Sequence, residues 1–199
     1  MKFFIVGKQG SGKLETLNIL EELGVKIARE FSNLETAHPN IYIDPNYQKY
    51  KQDDIEIIFN NKSYMTISPL EEKGILDGYK YYRGLDFYSY DNAEAMILSP
   101  KQLTTINKNL LNKHSVIVWM DNNRDSRIHR HCQEKRTYDF VEVEDLESVY
   151  DNDFSKTIYN FPNSSVIYFN NELPERVATI IYAISQHPEL LSIFKKYYN

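Results

Sequence analysis

The sequence predicts an α/β fold: a mostly parallel sheet of about five strands, flanked by helices. Three observations predict it. Short apolar runs near residues 2–6, 25–29, 94–98, 115–120 and 165–169 alternate with stretches of helical period, and that alternation builds parallel sheets. The run Ser115-Val116-Ile117-Val118-Trp119-Met120 is apolar almost throughout, as suits a strand covered on both faces. The first run, Phe3-Phe4-Ile5-Val6, passes directly into a loop holding Gly7, Gly10 and Gly12, and then into a helix.

The elements follow in order. Leu14, Leu17, Leu20 and Leu23, with Ile19 alongside, fit a helix, and Gly24 suits its C-terminal cap. Val25-Lys26-Ile27-Ala28-Arg29 reads as a second strand that ends in a polar cluster. A β-rich lobe is expected within about 35–90, inserted into a core of 1–34 and 91–199. It contains a hairpin, Ile55–Phe59 and Ser63–Ile67, turning at Asn60-Asn61-Lys62. Pro69 to Gly78 reads as turn-rich and charged, and 79–90 is dense in tyrosine. Glu94–Leu98 reads as a buried strand. Ser99-Pro100 opens a helix to about Asn112, with proline at its first position. His114–Asp121 is the strongest core strand. Asn122 to Tyr138 reads as a helix bearing Arg124, Arg127, Arg130 and Arg136. Residues 139–153 carry seven acids and no bases, a solvated face or a partner for those arginines. A strand over 164–169 and two amphipathic helices, 173–185 and 188–198, close the chain.

The 199 residues suit one domain with a lobe. A net charge of −5 argues against general nucleic-acid or membrane-surface binding. Cys132 is the one cysteine, which fits a reducing, cytoplasmic setting. No apolar run approaches the roughly 20 residues of a membrane span. The apolar start leads into a glycine–lysine loop, so no signal peptide is expected. The 16 tyrosines are stacking surfaces or coding bias; the sequence does not separate the two.

The spacing Gly7-x4-Gly12-Lys13 is that of a P-loop. Glycines let the main chain turn tightly and come close to a ligand. Successive amides and a helix N-terminus make an anion site, and Lys13 adds a full charge for β- and γ-phosphates. Gly7, Gly10, Ser11, Gly12, Lys13 and Leu14 are the candidate nucleotide contacts. One position departs from the pattern. A Ser or Thr after the lysine holds Mg²⁺, and here that residue is Leu14; Thr16 follows two residues on.

In the order and spacing of these features the chain resembles the P-loop nucleoside monophosphate kinases, most closely the guanylate kinase-like branch. The P-loop, the β-rich insert ending in Gly84-Leu85-Asp86-Phe87-Tyr88, the apolar strand ending in Asp121 and the Arg-rich helix after it carry the resemblance. It implies a P-loop NTPase fold with a lid over about 122–153. It also implies ATP and Mg²⁺ as cofactors and a nucleoside or deoxynucleoside monophosphate as acceptor, in a monomer or homodimer. Under it, Lys13 holds donor phosphates, and Arg124, Arg127 and Arg130 close over the transferring group, with Arg136 a weaker candidate. Asp121 acts on Mg²⁺, and Arg29, Arg83, Tyr81, Tyr82 and Tyr88 hold the acceptor. The branch's close pair of acceptor arginines is missing; only Arg29 stands near that place. With Leu14, this keeps a second reading open: a domain with lost or reduced catalysis that binds nucleotide or protein. A third is a kinase for another small acceptor.

Other readings have less behind them. A GTPase would need an aspartate at Tyr64, after Asn61-Lys62-Ser63. A zinc site needs four ligands, and His129, His131 and Cys132 have no second cluster.

Overall fold

The structure is a computed structural model that describes residues 1–8, 10–28, 31–32, 48–49, 71–76, 79–84, 91–98, 103, 115–133 and 166–198. The chain divides into two compact units, Met1–Ile27 with Glu94–Asn199, and Ala28–Ala93. In chain order the described strands are β1 (Lys2–Gly7), β2 (Ile27–Ala28), β3 (Phe31–Ser32), β4 (Gln48–Lys49), β5 (Glu71–Leu76), β6 (Tyr79–Gly84), β7 (Ala95–Ile97), β8 (Ser115–Asp121) and β9 (Val166–Asn170). The helices whose ranges are described are α1 (Lys13–Glu22), α2 (Arg124–Gln133), α3 (Pro174–Gln186) and α4 (Leu191–Tyr198), the last led in by a 3₁₀ turn at Pro188–Leu190.

The main sheet has five strands in the order β2-β7-β1-β8-β9. β1 pairs in parallel with β7 and β8, and β8 with β9. Both faces are covered, which is why the central strands read as continuous apolar runs. On one face Phe3, Ile5, Val118, Met120, Ile167 and Phe169 pack with Leu17 and Leu20 of α1 and Val177, Ile181 and Ile184 of α3. On the other, Phe4, Val6, Ile117 and Trp119 are also buried. Tyr198 of α4 closes on Phe169, ring centroids 4.6 Å apart.

The second unit holds a four-stranded sheet in the order β4-β3-β6-β5. This corrects the turn-rich reading of residues 69–78, since Glu71–Leu76 is a strand. β5 pairs antiparallel with β6, from Leu76↔Tyr79 back to Glu71↔Arg83, with an irregularity between Glu72 and Gly74. In the sequence, Asp77-Gly78 falls between them, a pair that favours two-residue hairpin turns. The hairpin expected at 55–67 and the acidic stretch 139–153 lie outside the described residues. Of the helix expected over 99–112, Leu103 is described; it is helical and buried.

The cap read at Gly24 forms a Schellman motif. Val25 N donates to Leu20 O at 3.0 Å and Gly24 N to Glu21 O at 2.9 Å, with Gly24 at φ +85°. The second strand is shorter than expected, Ile27–Ala28. The Arg-rich helix starts at Arg124 rather than Asn122. Asn123 is its N-cap: its Oδ1 accepts from Ser126 N at 2.8 Å.

Candidate functional site

The chain leaves β1 through α1 toward β2 and β7 on one side of it, and later fills β8 and β9 on the other. β1 and β8 therefore flank the point where strand order reverses. Open α/β sheets bind ligands at the carboxyl ends of such strands. Gly7 ends β1 there, beside Met120 of β8, and the glycine–lysine loop opens from it.

The loop's shape depends on its glycines. Gly10 and Gly12 have φ of +76° and +88°. A Cβ on Gly7 would stand 2.5 Å from Met120 O and 2.6 Å from Ser11 Oγ. Gly12 is the N-cap of α1 and brings no side chain to cap the first turn. A Cβ there would meet Pro174 Cγ at 2.6 Å and an Arg130 guanidinium nitrogen at 2.9 Å. Lys13 arches back over the loop, donating to Gly7 O at 2.5 Å and Lys8 O at 2.7 Å.

Two further groups join the loop to α2 and the end of β8. Asn122, 4% exposed, donates from Nδ2 to Ser11 O at 3.2 Å. Arg130 makes a long hydrogen bond, 3.5 Å, to Gly10 O. Ser11 Oγ and Asn122 Oδ1 are buried without a hydrogen-bond partner. The end of β8 is pinned from β9 as well. Asn171 N donates to Asp121 O at 2.9 Å, and Asn171 Oδ1 accepts from Asn123 N at 2.7 Å. Asn171 takes φ +53° to do so, a conformation asparagine tolerates.

The three arginines expected to form a lid have three different fates. Each step of three along a helix falls about 60° short of a full turn, so the set drifts around α2. Arg124 is exposed, Arg127 is buried with its Nε donating to Asn122 O at 3.1 Å, and Arg130 reaches the loop.

The metal candidates stand apart. Thr16 is fully buried, its hydroxyl 3.6 Å from Met120 Sδ and 3.5 Å from Pro174 O. Leu14, half-buried, offers no oxygen. Asp121 is exposed at the end of β8. Met120 packs beside Gly7 and Thr16, so strand alternation turns the next side chain to the opposite face. Tyr168 lies on that face, diagonal to Asp121 across β8 and β9. Burial first, and then the Asp121 carboxylate, push its phenol above the usual tyrosine value of 10.0. Among the described residues, no hydrogen bond or ion pair joins the Asp121 carboxylate to the loop, and no three His, Cys, Asp or Glu gather as metal ligands. The described donors thus fit a phosphate anion and do not supply the oxygen that a P-loop gives to Mg²⁺.

Of the acceptor candidates, Tyr81, Tyr82 and Arg83 lie on β6 of the second unit. Arg29, Tyr88 and Arg136 lie outside the described residues. Sequence reasoning missed Asn122, Asn123 and Asn171. The N-cap preference for asparagine could have found Asn123; a buried asparagine such as Asn122 has no sequence signal. No described helix is long and apolar enough to cross a membrane.

No protein-family model matches the sequence, and no curated protein does. Among solved structures the chain is similar to the guanylate kinase from Anaplasma phagocytophilum, with a TM-score of 0.49 and 12% identity over 95% of this chain and 87% of that one.

Proposed function

We propose that this chain binds the phosphates of ATP on residues 7–13 and transfers the terminal phosphoryl group to a nucleoside or deoxynucleoside monophosphate. The observation that carries the reading is the loop itself: left-handed glycines, a lysine arched over it and an uncapped helix start, all at the switch point of a parallel sheet. Transfer of this kind needs positioning and charge neutralisation more than covalent work. Lys13 would release its loop carbonyls to phosphate oxygens, and Arg130 would do the same from α2. Guanidinium forks match phosphate bidentately. Tyr81, Tyr82 and Arg83, with Arg29 and Tyr88, are the acceptor side of the reading, and the single cysteine suits a cytoplasmic protein.

One observation favours a second reading. With Leu14 after the lysine and Thr16 turned into the core, the described residues of the loop and α1 do not offer the usual magnesium hydroxyl. A domain that binds nucleotide with reduced or no turnover would tolerate that. The test is ADP formation from ATP with each common ribo- and deoxyribo-monophosphate, with Lys13→Ala as control. Turnover with one or two acceptors, lost in the control, supports the kinase. A folded protein that binds ATP and turns over none of them supports the binding module and sinks the kinase.

A further inference from the structure

Fixed positive charge stands at the loop where, among the described residues, ligands for a divalent cation are lacking. Position 14 is a leucine, and the nearest hydroxyl on α1 that could replace a P-loop Ser or Thr faces Met120 Sδ and Pro174 O inside the core. Arg130, by contrast, lies against Gly12, the N-cap of α1, and hydrogen-bonds Gly10 O. A helix N-terminus carries partial positive charge, so a guanidinium beside it is repelled until an anion comes between them. No carboxylate partner offsets Arg130 among the described residues, and its one described bond is long, at 3.5 Å. Ser11 Oγ, in the same loop, is fully buried and makes no hydrogen bond. Lys13 is held on the Gly7 and Lys8 carbonyls.

We propose that residues 7–13 bind a diphosphate or triphosphate group without a divalent cation, Arg130 supplying the charge that magnesium would otherwise bring. The inference rests on the phosphate-binding half of the proposed function, which both readings above share. It follows from the geometry that sets Arg130 beside Gly12 and on Gly10 O.

The test is calorimetric titration of inorganic pyrophosphate into the full chain, in EDTA and in magnesium. The expected result is a dissociation constant in EDTA within about threefold of that in magnesium. Arg130→Ala should weaken binding in EDTA by about tenfold or more, as loss of a charge-assisted phosphate contact does. Arg130→Lys, which keeps the charge and loses the fork, should fall between the two and serves if the alanine variant does not fold. Binding in magnesium alone overturns this inference and leaves the phosphate site standing. Binding in neither condition overturns both. Binding in EDTA that neither Arg130 variant weakens removes Arg130 from the site and overturns the proposal as stated.

Discussion

Asn122 Nδ2 donates to the carbonyl of Ser11 at 3.2 Å, tying the end of β8 to the middle of the glycine loop. The bond is buried, so removing it strands a carbonyl. Asn122→Ala should destabilise the protein by about 1–3 kcal/mol and also weaken pyrophosphate binding, because Ser11 loses its anchor. Asn122→Asp should do more harm at neutral pH. It keeps the shape, cannot donate when ionised, and sets a negative charge beside an anion site. Urea unfolding and pyrophosphate titration on both variants check this. Equal pyrophosphate affinity in wild type and Asn122→Asp would show that Asn122 does not shape the loop.

Gly7, at the end of β1, and Gly24, just after α1, should separate by variant. Gly7 is held by space: a Cβ would run into backbone oxygen of the neighbouring strand, and such overpacking costs about 1–3 kcal/mol or more. Gly24 is held by its φ of +85° alone, with nothing within 4 Å of a Cβ. Gly24→Ala should cost about 1–2 kcal/mol, Gly24→Asn less, and both should bind pyrophosphate as wild type does. Gly7→Ala should lose binding along with stability. Thermal unfolding paired with titration measures both. Unchanged binding in Gly7→Ala would mean that the close approach of β8 does not set the loop.

Much of this was legible in the sequence, and the reason differs by residue. Lys13 and the loop glycines sit at fixed offsets after an apolar strand, so spacing alone finds them. The Gly24 cap is equally local. β5 is hard to see in the sequence because Glu71-Glu72-Lys73-Gly74 shows no apolar alternation, and its one local signal is the Asp77-Gly78 pair that follows. The arginines of α2 were legible as a set and not as individuals. Which one is buried, which is exposed and which reaches Gly10 depends on the rotation of α2 against the sheet, and no local pattern encodes that. Asn122 shares the difficulty: its partner lies 111 residues away.

Tyr168 and Asp121 give a pH dependence with a definite sign. The folded state holds the Tyr168 phenol above its ordinary 10.0, through burial first and Asp121 second. As pH rises past about 10 the unfolded chain ionises this group first. It then binds fewer protons than the folded chain, so stability falls from that pH up to the raised folded value. Tyr168→Phe should remove this part of the alkaline loss. Asp121→Asn should remove only some of it, because burial is the larger cause. Urea unfolding at pH 9 and pH 11 on the three proteins decides the matter. An alkaline loss as steep in Tyr168→Phe as in wild type would show that Tyr168 does not contribute.

Leu14→Thr asks whether one missing oxygen is what separates this loop from magnesium-dependent nucleotide chemistry. The residue is half-buried in the first turn of α1, where exchanging leucine for threonine costs about 0.5 kcal/mol of helix propensity. The fold should therefore survive. A hydroxyl at position 14 starts one residue after Lys13, unlike that of Thr16, which is committed to the core beside Met120. Pyrophosphate binding in the variant should become magnesium-dependent, about tenfold tighter with the cation than in EDTA. The two readings of the chain then diverge. If the chain is a kinase working with a weakened metal site, the same substitution should raise ADP formation in magnesium with an acceptor it already uses. If it is a binding module, magnesium-dependent binding should appear with no turnover. Pyrophosphate affinity in Leu14→Thr that is the same with and without magnesium would show that the side chain after the lysine is not what sets the metal requirement here.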